Sequence, residues 1–250
     1  MRFRTVFGFL GFLLVLFVAL PILRMFWGAE GGQLLEAATQ AEVRSAIFLT
    51  LRASLWATLL ALFLGLPLAY LLARLDFKGK QIIEGLIDLP VVIPHTAAGI
   101  ALLLVWGRHS LFTRATGWTL VGTEAGITLA MLFVSLPFLV NGAKEGFRLV
   151  DVRLENTART LGATPFQAFW TVTLPLAKKS ILSGAIMMWA RGISEFGAVV
   201  ILAYHPLTAP VLIFERFQNF GLRAATPVAV LLLLLSLLII ILLRAVVGRR

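Results

Sequence analysis

Six runs of apolar residues, at about 6–27, 46–73, 89–106, 124–141, 181–203 and 227–247, constrain this chain more than anything else in it. About 20 apolar residues in a helix cross the roughly 30 Å hydrocarbon core of a bilayer. Inside that core each backbone N–H and C=O must bond within its own segment, which leaves only helices for isolated runs of this length. With 60% hydrophobic residues among 250 and a mean hydropathy of +0.95, no water-soluble interior could hide the apolar side chains. The expected fold is one all-α integral membrane domain, a six-helix bundle occupying the whole chain in a lipid bilayer. The first run follows Met1-Arg-Phe-Arg, as a secretory signal would begin. It is too long for a signal core and no convincing small-x-small cleavage site follows, so it is read as the first span. The absence of Cys removes disulfides, thiol catalysis and cysteine metal sites.

Lys and Arg exceed Asp and Glu by 22 to 12. In a soluble protein that balance points to nucleic acid. Here the basic residues sit in short loops between apolar runs, so they report membrane orientation and no nucleic-acid partner is expected. Six spans put both termini on one side. That side receives Arg2, Arg4, Arg74, Lys78, Lys80, Lys144, Arg148, Arg153, Arg159, Lys178, Lys179, Arg244, Arg249 and Arg250. The other receives Arg24, Arg44, Arg52, Arg108, Arg114, Arg216 and Arg223. The excess marks the termini and the 142–179 stretch as cytoplasmic, in a plasma membrane crossed several times. Residues 28–45 read as an external loop with a short helix, 81–88 as an interfacial helix, and 204–226 as a turn region leading to the last run. Pro67 is predicted to kink the second span, and Pro90, Pro94 and Gly99 to break the first half of the third. Trp27, Trp106, Trp118 and Tyr204, near span ends, read as interface anchors.

Between the fourth and fifth runs lies a polar interval no bilayer accepts, residues 155–175, ENTARTLGATPFQAFWTVTLP. A helix-prone loop of this length costs ordering entropy and is expected to dock onto something. Residues 155–162 can form about two helical turns with Leu154, Ala158 and Leu161 on one face. Gly162 lets the backbone turn, and Thr164-Pro165 starts a second helix whose apolar side carries Phe166, Phe169, Trp170 and Val172. The fifth run holds the other informative stretch, Arg191-Gly-Ile-Ser194-Glu195-Phe-Gly197. Each charge inside hydrocarbon costs about 2.5–3.5 kcal/mol on insertion scales, so both need a partner or water. Spaced i to i+4 on one helical face, they can pair. They are either a packing pair or the lining of a passage, and Gly192 and Gly197 permit either close packing or a local opening. His95 has the same two readings: it satisfies backbone freed by Pro90 and Pro94, or it contributes a donor to an anion path.

No G-x-x-x-x-G-K-[ST] loop exists, so any ATP that drives this chain is hydrolysed elsewhere. His95, His109 and His205 lie on different segments without metal-ligand spacing, and there is no catalytic set. Two other classes are left beside a primary transporter. A secondary transporter would need further intramembrane carboxylates and inverted repeats, neither of which is evident, and a membrane scaffold would not need a buried Arg/Glu pair.

The 155–175 stretch resembles the coupling loop of permease subunits in ATP-binding-cassette importers, Glu-Ala-Ala-x3-Gly-x9-Ile-x-Leu-Pro. Ala158 and Gly162 fall on the second Ala and the Gly, Val172 on the Ile, and Leu174-Pro175 closes the pattern. Thr157 replaces the first Ala, and the Glu position holds Asn156, with Glu155 one place early. Ser194-Glu-Phe-Gly-Ala in the fifth run and Leu89-Pro-Val-Val-Ile-Pro-His95-Thr96 in the third are similar to the oxyanion branch of these permeases, nearest the archaeal-type molybdate/tungstate permeases. The resemblance covers residues 46 to the end. It implies a type I importer permease moving molybdate or tungstate inward by alternating access, or sulfate/thiosulfate as the alternative of the same branch. It implies two ATPase subunits, which hold ATP and Mg, a second copy of this chain, and an extracytoplasmic oxyanion-binding protein. No cofactor or metal is expected on this chain. The residues it marks for ATPase coupling are Glu155, Asn156, Ala158, Arg159, Gly162, Ala163, Pro165, Leu174 and Pro175. For the pathway or its gate they are Arg191, Ser194, Glu195, Gly197, His95 and Thr96.

Overall fold

The computed structural model describes residues 2–248, with side chains from Phe3 to Ile241. Of the residues that set the expected orientation, Arg249 and Arg250 lie outside the described residues, as do the side chains of Arg2 and Arg244. All regular structure among the described residues is helical. In chain order the helices are α1 (Arg2–Gly28), α2 (Gly31–Thr39), α3 (Ala41–Arg74), α4 (Lys80–Val92), α5 (His95–Trp106), α6 (Leu111–Thr116) and α7 (Glu124–Leu149). They are followed by α8 (Val152–Thr160), α9 (Pro165–Ala168), a π-helical turn (Phe169–Thr173), α10 (Leu174–Ile193), α11 (Gly197–Leu202), α12 (Ala209–Phe220) and α13 (Leu222–Gly248).

The bundle is built on α3, α7 and α10. Small residues let these helices approach closely, the usual device where hydrocarbon gives no hydrophobic drive to pack. Ala53, Ala57 and Ala61 recur on one face of α3 and are buried, and a Cβ on Gly65 would stand 3.2 Å from Val140 of α7. Gly142 of α7 meets Gly184 of α10 so closely that a Cβ on Gly142 would lie 2.9 Å from the Gly184 Cα. By contrast α1 is apolar all round and exposed along nearly its whole length, its contacts within the chain being chiefly with α13.

Among the described residues four unbroken helices are long and apolar enough to cross a membrane: Phe3–Gly28, Ala41–Arg74, Glu124–Leu149 and Leu222–Ile241. The third and fifth runs depart from the straight spans expected. Residues 81–88 and the start of the third run form one helix, α4, which continues through Pro90 and ends at Val92. The break falls instead before Pro94, whose ring disfavours helix for the residue preceding it. Ile93 is accordingly extended (φ −72°, ψ 145°). Across it the chain bends by 117°. The fifth run likewise stops at Ile193 and resumes at Gly197. At its other end α10 continues without interruption from the π turn and α9, so the second helix expected in the 155–175 loop is the foot of the fifth span. Leu174-Pro175 does not end that loop but sits within a continuous helix. Pro175 has no N–H for the turn before it, and the wider turn at Phe169–Thr173, closed by Leu174 N–H on the Phe169 carbonyl, accommodates that loss. The 204–226 region holds a further helix, α12, with Pro210 in its first turn and Ala209 N–H donating to Thr50 Oγ1 of α3 at 2.8 Å.

Candidate functional site

The two broken spans lie side by side. α11 packs along α5, and a Cβ on Gly197 would stand 2.6 Å from the His95 Cβ, while one on Gly99 would stand 2.8 Å from the Ile201 Cβ. That contact places the starts of α5 and α11 together, beside the last turn of α10. Arg191 reaches into the junction. Its Nη2 lies 2.9 Å from Glu195 Oε2 and 2.6 Å from His95 Nε2, and its Nη1 lies 3.3 Å from Ser194 Oγ. A guanidinium has only donors, so the imidazole accepts through Nε2. Glu195, only 1% exposed, is held by its other oxygen, which accepts from Ala198 N–H at 2.9 Å. The carboxylate thereby closes the start of α11 and neutralises Arg191 at once.

The junction packs against α3 and α7, far from the Arg74 end of α3. Gly192, next to Arg191, faces Ser54 of α3 and Met131 of α7. Ser54 is roughly 20 residues, about 30 Å, along α3 from its Arg74 end. Thr96 and Ser194 are nevertheless exposed in the single chain and His95 half so. Polar side chains bared beside a buried ion pair need water or protein against them. His95 makes its side-chain bonds to Arg191 and not to backbone freed by Pro90 or Pro94.

At the opposite end of α10 stands the loop marked for coupling. Asp151 caps α8 by accepting from Arg153 N–H, and Thr164 with Gln167 forms a reciprocal capping box at the start of α9. Between them Gly162 takes φ +95°, and nothing lies within 4 Å of where its Cβ would be. Three apolar side chains of this elbow face away from the bundle: Leu161 is 84% exposed, Phe166 71% and Trp170 52%. Asn156, Arg159 and Pro165 are exposed too, Ala158 and Ala163 half-buried. Glu155 is different. It is buried against α3, with Oε1 accepting from Arg74 Nε at 2.9 Å and Oε2 accepting from Tyr70 Oη at 3.1 Å. Its carboxylate is turned inward, and the residue presented outward at this turn is Asn156. Arg74 and Tyr70 were not singled out from the sequence. The one available signal was that Arg74 ends a long span and so lay at loop level.

A model of the family described as binding-protein-dependent transport system inner membrane component matches residues 61–250. The chain belongs to this family. This inner membrane component is 47% identical over 247 residues to the molybdate/tungstate transport system permease protein of Pyrococcus furiosus, covering 97% of this chain and 94% of that one. It is 43% identical to its counterpart in Pyrococcus abyssi, over 97% and 95%. The sulfate transport system permease protein of Synechococcus elongatus is more distant, 35% identical over 86% and 81%. Among solved structures, the bacterial alginate ABC transporter in complex with its pentasaccharide-bound periplasmic protein has a chain sharing the fold with a TM-score of 0.75 at 14% identity, over 98% of this inner membrane component and 94% of that chain. The inward-facing methionine ABC transporter gives 0.65 at 18% identity, over 83% and 93%. The fold is that of a type I importer permease. As a membrane component of a binding-protein-dependent system, the chain is neither a secondary transporter nor a scaffold.

Proposed function

We propose that the chain is the permease subunit of an ATP-driven importer that carries molybdate or tungstate into the cytoplasm. The observation that carries the substrate is the 43–47% identity, over 97% or more of the chain, to permease proteins of molybdate/tungstate transport systems. The geometry fits an anion. A guanidinium stands at the junction of two broken helices, with hydroxyl and imidazole groups bared beside it. In this reading Arg191, His95, Thr96, Ser194, Glu195 and Gly197 line or gate the passage. A second copy of the chain covers the face on which these groups are bared, and the passage runs between the copies.

The 155–175 elbow is the contact for two ATPase subunits, which hold the ATP and Mg. Its outward apolar residues, Leu161, Phe166 and Trp170, leave an apolar surface bared in a monomer. Both termini and the elbow are cytoplasmic, and the external binding protein delivers the anion at the opposite end. ATPase closure then switches the bundle between two states that differ in which end is open. Molybdate and sulfate are both tetrahedral dianions, so selectivity belongs to the enclosing binding protein, where unpaired donors around a smaller ion are penalised.

The test is uptake of labelled tungstate, molybdate and sulfate by the permease reconstituted with its ATPase and binding protein. Tungstate or molybdate uptake in excess of sulfate is expected. Sulfate carried at least as well as either would reject the metal-oxyanion assignment, and uptake independent of ATP and binding protein would reject the importer.

A further inference from the structure

The position of the coupling elbow rests on one buried charge. Glu155 is the only residue of α8 that is buried, while the helix's own Val152 and Leu154 are exposed. Arg74, the last residue of α3, holds it with Nε at 2.9 Å and Nη2 at 2.5 Å from Oε1, and the same Nη2 donates to the Val150 carbonyl at the end of α7 at 3.0 Å. One guanidinium thus ties together the ends of α3 and α7 and the start of α8. Tyr70, one turn earlier on α3, occupies the second carboxylate oxygen and packs its ring edge-on to Phe147 of α7 and Phe169 of the π turn, at 5.5 and 5.0 Å. Arg74 and Glu155 side chains are each 10% exposed, so water screens the pair little. α3 is the longest helix in the chain, and it runs from this point to Ser54, against Gly192 beside Arg191.

We infer that Arg74 is a positioning residue for energy coupling: by holding Glu155 it makes α8 and α3 move as one body, so that displacement of the elbow is carried along α3 to the Arg191 end. The inference rests on the reading of the elbow as the ATPase contact. In this chain the carboxylate of the elbow serves the inside of the permease, and the ATPase meets Asn156 and the apolar tip. A purely structural pair would affect how much complex forms. A coupling pair affects how much anion moves for each ATP consumed.

The experiment uses the whole complex in proteoliposomes, with co-purified ATPase, ATP hydrolysis and tungstate uptake measured on each preparation. Arg74→Gln is expected to keep its ATPase and hydrolyse ATP while uptake per ATP falls roughly tenfold, within the range of measured allosteric couplings. Tyr70→Phe, which keeps the ring contacts and removes only the hydroxyl, is expected to lower the same ratio by a smaller factor. An assembled Arg74→Gln complex with an unchanged ratio would overturn the inference. So would an Arg74→Gln protein that fails to assemble together with an assembled Tyr70→Phe complex of normal ratio. Leu161→Asp serves as the separate check on the elbow: if it keeps its ATPase and its coupling, the elbow is not the contact, whatever Arg74 does.

Discussion

Arg191 and Glu195 pair at 2.9 Å across the end of a helix and not along one, because α10 stops at Ile193 and Glu195 already belongs to the connection into α11. The two charges therefore sit on segments that can separate. Glu195 is anchored by Ala198 N–H, while Arg191 stands on the last turn of α10 with His95 as its second partner. An i to i+4 pair inside one rigid helix would have no such freedom.

Arg191→Gln is expected to lower anion uptake roughly tenfold per folded complex, the scale of one charge-assisted hydrogen bond. Uptake normalised to the complex recovered by size-exclusion chromatography checks it. A loss of uptake that only tracks a loss of folded complex would assign the residue to packing.

Glu195→Gln keeps an oxygen for Ala198 N–H but removes the countercharge of Arg191. Breaking a buried pair costs about 3–5 kcal/mol, and the partial exposure of Arg191, 23%, reduces that. The complex should fold with a lowered midpoint, and the uptake-to-hydrolysis ratio should change. Thermal unfolding in detergent and the transport ratio, measured on one preparation, separate the two effects. A normal ratio in the folded fraction would leave Glu195 a stabilising residue only.

Gly162→Val puts a β-branched residue at φ +95°, a conformation L-residues avoid at a cost of roughly 1–2 kcal/mol. Because the site is open, nothing in the bundle is displaced. The variant should insert and fold normally yet co-purify less ATPase. Unimpaired ATPase capture and normal transport would remove the elbow's geometry from the mechanism.

Gly197→Ala adds a Cβ 2.6 Å from that of His95. The two broken spans must move apart, at a cost of about 1–3 kcal/mol typical of overpacking. A lower unfolding midpoint and weakened transport are expected together. An unchanged midpoint would mean that α5 and α11 are less tightly apposed than they stand here.

Much of this was legible in the residues. The apolar lengths of 6–27, 46–73, 124–141 and 227–247 fall on α1, α3, α7 and α13, since hydrophobic length is a local property. The turn at Gly162 and the start at Thr164-Pro165 were readable from backbone chemistry alone. The two breaks differ. Pro94 leaves a mark in the sequence, though Pro90, read equally as a breaker, is carried inside α4. Gly192 and Gly197 permit an opening around Ser194–Phe196 but do not require one. The gap depends on Gly197 lying against His95 and on Glu195 closing α11, both products of tertiary packing. The inward turn of Glu155 was hidden for the same reason, because its partners lie about 80 positions earlier in the chain. The appearance of α12 in the expected turn region has a similar cause: its first N–H, of Ala209, is bonded by Thr50 of another helix.

The π turn at Phe169–Thr173 carries a consequence for how such chains can change length. A turn of this kind holds one residue more than an α-helix needs, and confines it, so the faces above and below keep their phase. In an uninterrupted α-helix one surplus residue would rotate everything beyond it by about 100° and shift it 1.5 Å. Arg191 would then leave His95 if Phe166 and Trp170 kept their facing. Single-residue deletions should therefore be tolerated between 169 and 173 and almost nowhere else from Pro165 to Ile193. Over evolutionary time this one turn is the place where the segment can lose a residue while its two ends keep their partners.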